Sequence, residues 1–181
     1  MTHEVIMAGF GGQGIMLIGT VLTYAGKEEG MSVSWLPSYG PEMRGGTANC
    51  AVCVSREPIA SPVVVEPTSA IVMNEPSFSK FYGNIVPGGT IIINSSLVYS
   101  EDTREDVKAY RIPANDEAAN LGSSRVANMV CLGALLGAVG IVRIDTVLNV
   151  LHKVISPRYH DLIPLNEKAL KRGFELARAA E

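Results

Sequence analysis

Val5-Ile6-Met7-Ala8 runs directly into Gly9-Phe10-Gly11-Gly12-Gln13-Gly14, after which Ile15, Leu17, Ile18, Val21, Leu22 and Ala25 recur at helical spacing. An apolar strand, a glycine turn and an amphipathic helix in that order build a cradle for an anion. Gly9, Gly11 and Gly14 fall on the G-x-G-x-x-G spacing. The first glycine permits a tight turn, the second a close backbone approach, and the third close packing of helix on strand. Unpaired N–H groups and the positive helix end then favour negative charge. A glycine turn that only lets the helix pack on the sheet would carry the same residues.

Outward from this unit the pattern keeps alternating. Helix one is expected from Gln13 to about Glu29 and strand two over Ser32–Leu36. A polar loop covers Pro37–Thr47, the next strand Ala48–Ser55, and Pro62–Val65 reads as a short edge piece. Ala70–Asn74 and Thr90–Asn94 read as buried strands, with a short helix at Pro76–Tyr82 between them. Val107–Ile112 is a further strand, followed by helices at Asn115–Leu121, Ser124–Val139 and Asp145–Ile155, the last with Asp145 as N-cap. Asn166 is expected to cap a final amphipathic helix to about Ala179. Such alternation predicts an α/β fold, Rossmann-like and doubly wound, with a mainly parallel sheet and helices on both faces. Ligands of such sheets bind beyond the carboxyl ends of the strands. Gly9–Gly14, Ser38–Gly46, Asn74 and Asn94–Ser96 all follow strands, so they are expected on one rim.

The bulk properties narrow the class. At 181 residues, 47% of them apolar, residues 1–181 read as a single domain with a substantial core. A net charge of −3 gives no electrostatic footprint for nucleic acid. No secretory leader is expected, because Gly9–Gly14 interrupt the one candidate apolar stretch. No apolar run is long enough for a membrane span. Three cysteines make no disulfide framework, and a reducing cytoplasm is the expected location. Cys50-Ala51-Val52-Cys53 has metal-like spacing but sits in a strand pattern, where positions three apart face opposite sides. A zinc or iron–sulfur site also needs a second ligand pair, and His3, His152 and His160 offer none. These cysteines read as buried small hydrophobes, and no metal site is expected.

Two readings of the glycine turn compete on the residues alone. A nicotinamide or flavin dinucleotide wants an acidic residue about 20 residues on, at the end of the second strand. Here that strand leads into Ser38-Tyr39-Gly40, while Glu28 and Glu29 come too early. Arg44 keeps NADP open as a ligand. The second reading comes from the loop Ser38-Tyr39-Gly40-Pro41-Glu42-Met43-Arg44-Gly45-Gly46. Arg44 offers a planar fork beside the backbone N–H groups of Gly45 and Gly46, suited to phosphate or carboxylate.

Taken together, Gly9–Gly14, the Ser38–Gly46 loop, Pro87-Gly88-Gly89-Thr90 and Asn94-Ser95-Ser96 resemble the gamma subunit of 2-oxoacid:ferredoxin oxidoreductases. Arg125-Val126-Ala127-Asn128-Met129 and Asn166-Glu167-Lys168-Ala169 extend the resemblance over nearly the whole chain. The loop and the Asn94-Ser95-Ser96 ending look closer to the 2-oxoglutarate and branched-chain oxoacid members than to the pyruvate ones. The beta subunit of indolepyruvate oxidoreductase shares the glycine turn and an Arg-Gly-Gly loop, but not the Tyr-Gly-Pro-Glu lead-in.

The resemblance implies a complex that decarboxylates a 2-oxoacid on thiamine diphosphate. Electrons pass singly through iron–sulfur clusters to ferredoxin, and coenzyme A collects the acyl group. This chain has neither the cysteine runs of a cluster nor a recognisable thiamine and magnesium motif. Those groups are expected on alpha, beta and delta-type partner subunits. For this chain the resemblance leaves coenzyme A, with Gly11, Gly12 and Gly14 as backbone N–H cradle, Arg44 as cation, and Gly9, Gly45 and Gly46 as further binding residues beside them. Gln13, Ser38, Tyr39, Asn74 and Asn94 are expected as further groups on the rim. Glu42 is expected to pair with Arg44 or face a partner. No residue reads as a general acid, base or nucleophile. A face meant for partners, left uncovered, would make the isolated chain self-associate as a homodimer. A purely structural subunit, whose loop only docks, is the remaining alternative.

Overall fold

The apolar run at the N-terminal end forms β1 (Thr2–Phe10), whose neighbours in the computed structural model cover it on both sides. The structure describes residues 2–39 and 47–180. From the glycine turn, α1 (Ile15–Glu28) returns along the sheet with Ile15, Ile18, Val21, Leu22 and Ala25 buried. Then follow β2 (Ser32–Tyr39), β3 (Thr47–Ser55), β4 (Ser69–Val72), α2 (Glu75–Phe81), β5 (Thr90–Asn94) and β6 (Lys108–Ile112). Four helices end the fold: α3 (Ala114–Asn120), α4 (Ala127–Val139), α5 (Ile144–Val154) and α6 (Ile163–Ala179). The strand order is β2-β3-β1-β4-β5-β6.

Pairing is parallel from β1 through β4 and β5 to β6, whereas β3 runs antiparallel to both β1 and β2. The sheet is thus mainly parallel, as the alternation predicts, with one reversed strand. Its reversal has a chain-length cause. Only residues 40–46 separate β2 from β3, and a parallel crossover takes a dozen residues or more. Because β2 and β1 both oppose β3, they point the same way.

Both faces of the sheet are buried, which explains strands that read as unbroken apolar runs. Val5, Met7, Val52, Ile71 and Ile92 face the larger core under α1, α3, α4, α5 and α6. Ile6, Ala8, Ala51, Val72 and Ile91 face a smaller core closed by Phe78 and Phe81 of α2 with Val98 and Val107. Within the larger core α4 is buried on every side from Ala127 to Gly137. It touches α6 backbone to backbone. A methyl on Gly133 would overlap the Leu170 carbonyl, and one on Gly173 the Val130 carbonyl.

Three local expectations need correction. Pro62–Val65 forms no strand: Val63 and Val65 are exposed, and only Val64 packs on the smaller core. Pro62 and Pro67 on either side remove ladder donors there. Asp145 does not cap α5; the cap is Arg143, and Asp145 lies in the first turn, where the helix dipole favours it. Asn166 lies inside α6, whose start is set earlier by a proline in the first turn. Its Nδ2 donates back to the Leu162 carbonyl at 2.8 Å.

The cysteines sit as strand parity predicts. Cys50 joins the larger core with Val52 and Val54, while Ala51, its neighbour, faces the smaller one. Cys53, three residues on, falls on the Ala51 side. Burial pushes the thiols of Cys50 and Cys131 up to about 12. Both therefore remain protonated at neutral pH and behave as hydrophobes.

Candidate functional site

Strand direction gathers the expected rim. Phe10 ends β1, Tyr39 ends β2, Asn74 follows β4, and Asn94 ends β5, all pointing the same way. Thr47 pairs with Phe10 and Ala48 with Tyr39, so β3 begins on that rim too. Glu42, Arg44, Gly45 and Gly46, which join β2 to β3, lie outside the described residues.

At the glycine turn two residues take the left-handed conformation, Gly12 at φ 93° and Gly14 at φ 73°. Gly14 is the N-cap of α1 and brings no side chain to cap it. The first turn of the helix holds no carboxylate. The first bond of the ladder runs from the Ile18 N–H to the Gly14 carbonyl at 3.2 Å. The N–H groups ahead of it are left for an external acceptor, and the helix dipole favours an anionic one. Gly11 and Gly12 are exposed beside them.

Gln13 works inward. Its Oε1 accepts from the Phe10 N–H at 2.6 Å, its own N–H donates to the Phe10 carbonyl at 3.1 Å, and its Nε2 donates to the Met73 carbonyl at 3.5 Å. The side chain closes the turn and ties it to the end of β4. Asn94 is likewise occupied. It is fully buried, and its Nδ2 donates to the Met73 carbonyl at 3.2 Å and to Asn115 Oδ1 at 2.8 Å. Its Oδ1 accepts from the N–H groups of Ala114 and Ser96. Asn74 caps α2 through Oδ1, which accepts from the Ser77 N–H at 2.9 Å, while its buried Nδ2 has no partner among the described residues. Both asparagines thus hold the rim together. Ser38 and Tyr39 are exposed on it, Tyr39 at 67%.

Asn128 of α4 is a positioning residue outside the predicted rim set. Its Nδ2 donates to the Gly14 carbonyl at 3.1 Å, and a Cβ on Gly14 would collide with it. The signal was a single polar residue in the apolar run Val126–Leu136, since a buried amide must find a partner. Arg125, three residues earlier, lines a cavity of about 460 Å³ with Gly12 and Leu17. A larger cavity, about 890 Å³, opens at the opposite end of the sheet beside His3 and Arg143. It lies where β1 begins, away from the carboxyl rim, so the smaller cavity is the better candidate for a ligand of the turn.

The topology also bears on the dinucleotide reading. In a dinucleotide-binding half the second strand lies next to the first and offers its acidic tip to the ribose. Here β3 intervenes between β1 and β2, and β2 ends in Ser38-Tyr39.

Known proteins match the whole of this arrangement. The chain is 35% identical over 177 residues to ketoisovalerate oxidoreductase subunit VorA of Methanothermobacter marburgensis, covering 97% of this chain and 36% of that protein. It therefore spans about a third of that relative's length. 2-Oxoglutarate synthase subunit KorC of the same organism is 32% identical over 183 residues and covered over 97% of both chains. Among solved structures, the gamma subunit of a keto/oxoacid ferredoxin oxidoreductase from Geobacter sulfurreducens superposes with a TM-score of 0.87 at 26% identity, over 99% of this chain and 98% of that one. A 2-oxoglutarate:ferredoxin oxidoreductase from Magnetococcus marinus, solved with 2-oxoglutarate, coenzyme A and succinyl-CoA bound, gives 0.89 at 27% identity, over 98% of this chain and 31% of that one. The family model of pyruvate ferredoxin/flavodoxin oxidoreductases matches residues 4–176, and the chain belongs to that family.

Proposed function

We propose that this chain is the gamma subunit of a 2-oxoacid:ferredoxin oxidoreductase and that its glycine turn binds coenzyme A. The observation that carries this reading is the uncapped start of α1, with its free N–H groups and two left-handed glycines on the carboxyl rim. Coenzyme A brings a diphosphate and a 3′-phosphate, which need such a cradle and a cation. Its presence in the Magnetococcus relative supports the choice of ligand. Thiamine diphosphate, when bound, stabilises the carbanion left by decarboxylation; with magnesium and the iron–sulfur clusters it is assigned to the alpha, beta and delta-type partners. What this chain contributes is binding and orientation. Gly11, Gly12 and Gly14 hold phosphate, Gln13 and Asn128 keep the turn in shape, and Arg44 supplies the cation. The oxoacid is assigned to the 2-oxoglutarate or branched-chain class, in keeping with the relatives named for those substrates.

The test is purification from the native host through a tag on this chain, followed by assays with several 2-oxoacids. A brown complex that reduces a viologen dye with a 2-oxoacid only when coenzyme A is added is the expected result. A colourless solitary protein would overturn the assignment and return the dinucleotide reading. Within the complex, Arg44→Ala is expected to raise the KM for coenzyme A with the subunits still assembled. Loss of assembly with unchanged coenzyme A kinetics would instead make this a purely structural subunit.

A further inference from the structure

The larger cavity, about 890 Å³, lies where β1 begins, at the opposite end of the sheet from the glycine turn, and falls in the size range of small-ligand sites. Part of its lining is apolar: Met31, Val139 and Phe174 are half-buried there, packed on the larger core. The polar part holds three exposed arginines, Arg56, Arg143 and Arg178, with His3 and the carboxylates of Glu29 and Asp145. Arg178 stands in the last turn of α6, where the helix dipole favours a cation. Arg143 is placed against that rule. It is the N-cap of α5, whose start has no side-chain cap, and a helix dipole disfavours a cation at that end. Glu29 offsets part of this, since its Oε1 accepts from the Arg143 backbone N–H at 2.9 Å and lies 3.6 Å from Arg143 Nε. The Arg143 side chain is still 80% exposed. Arg56 follows β3, belongs to no helix, and makes no ion pair with a described residue.

Two further groups beside these arginines suit an anion. The N–H groups of Ile144, Asp145 and Thr146 come before the first ladder bond of α5, from the Val147 N–H to the Arg143 carbonyl at 3.2 Å. Burial holds the His3 imidazole below its ordinary pKa, so at neutral pH it is uncharged and offers a ring N–H. An inorganic anion would use these groups and leave the apolar lining in water. We propose that this cavity binds an amphipathic organic anion, with a carboxylate or phosphate head on Arg56 and Arg143 and an apolar tail along Val139 and Phe174. The proposal goes beyond the coenzyme A reading and does not rest on it, because no residue of the glycine turn takes part.

The experiment titrates the full chain, labelled with nitrogen-15, with octanoate and with octyl phosphate; acetate, inorganic phosphate and 1-octanol are the controls. Amide resonances of Ile144, Asp145 and Thr146 report on the cavity, and those of Gly12 to Ile18 on the glycine turn. At least one of the two amphiphiles is expected to saturate the first set at concentrations about tenfold or more below any control, with the second set unmoved. Whichever binds more tightly identifies the head group. Arg56→Gln, which breaks no ion pair, should weaken that ligand by about tenfold and leave the urea midpoint unchanged. The bound head should also raise the His3 pKa, followed through its ring resonances, because a nearby anion favours the imidazolium. No saturable shift with either amphiphile overturns the proposal. So does octanol or acetate binding as tightly as octanoate, or an unchanged affinity in Arg56→Gln. Each of these results leaves the dependence of turnover on coenzyme A untouched, so the reading of the glycine turn stands or falls separately.

Discussion

Gly14 is held from two directions. Its φ of 73° is left-handed, and Asn128 fills the space a Cβ would occupy. Gly14→Ala should therefore destabilise the protein by about 2 kcal/mol, part backbone strain and part collision. Asn128→Ala alone should cost about 1 kcal/mol, since it removes the part-buried hydrogen bond to the Gly14 carbonyl and the one its Oδ1 accepts from the Met129 N–H. The two changes share a contact and are expected not to add. In the Asn128→Ala background the collision is gone, so Gly14→Ala should cost less there, as urea unfolding of the four proteins will report. The glycine spacing was readable in the chain because strand, turn and helix are contiguous. Asn128 lies 114 positions from its partner, and no local pattern joins them. Gln13 and Asn94 lie at strand ends on the rim, but no spacing reveals that their amides turn inward to the same Met73 carbonyl.

At the scale of elements, α2 and the segment after β5 are tied by one carboxylate. Glu75 accepts from the N–H groups of Tyr99 and Ser100 and from the Ser100 hydroxyl. The Ser100 hydroxyl, then the Tyr99 N–H, hold its pKa below the ordinary carboxylate value. A group with a lowered folded pKa stabilises above its unfolded pKa and loses that contribution as pH falls through the folded one. Acid should thus release this segment. At neutral pH Glu75→Gln should speed amide hydrogen exchange at Tyr99 and Ser100 while leaving Gly12 to Ile18 unchanged. The α4–α6 contact is a stricter case. At Gly173 the obstacle is the Val130 backbone, which cannot rotate away. Gly173→Ala should cost about 3 kcal/mol by overpacking, read as a lower urea midpoint. The apolar character of α4 was plain from its residues, whereas the backbone-to-backbone approach of α6 was not.

For the whole molecule, burial of the thiols sets an alkaline limit. Cys50 and Cys131 are raised by desolvation from an ordinary 9.0 to about 12 in the folded state. A raised folded pKa gives stability that is complete below the unfolded value and lost as pH rises through the folded one. Stability should fall between about pH 9 and pH 12, and Cys131→Ala should flatten that fall in melts run across the range. Native protein at pH 8 should also resist thiol alkylation at both positions until it is unfolded. Parity along β3 was legible because alternation of side chains on a strand is a local rule. The α/β class, the parallel core of the sheet, the shared rim and the glycine turn at the start of α1 likewise followed from the sequence, since each depends on residues within one strand–turn–helix unit. Tertiary structure alone decided the placing of β3 between β1 and β2, the inward turn of Gln13 and Asn94, and the meeting of Arg125, Tyr159 and Asn166 with Gly12 around one cavity. Those outcomes depend on how elements far apart in the chain pack, and the sequence pattern of any one element is silent about its distant neighbours.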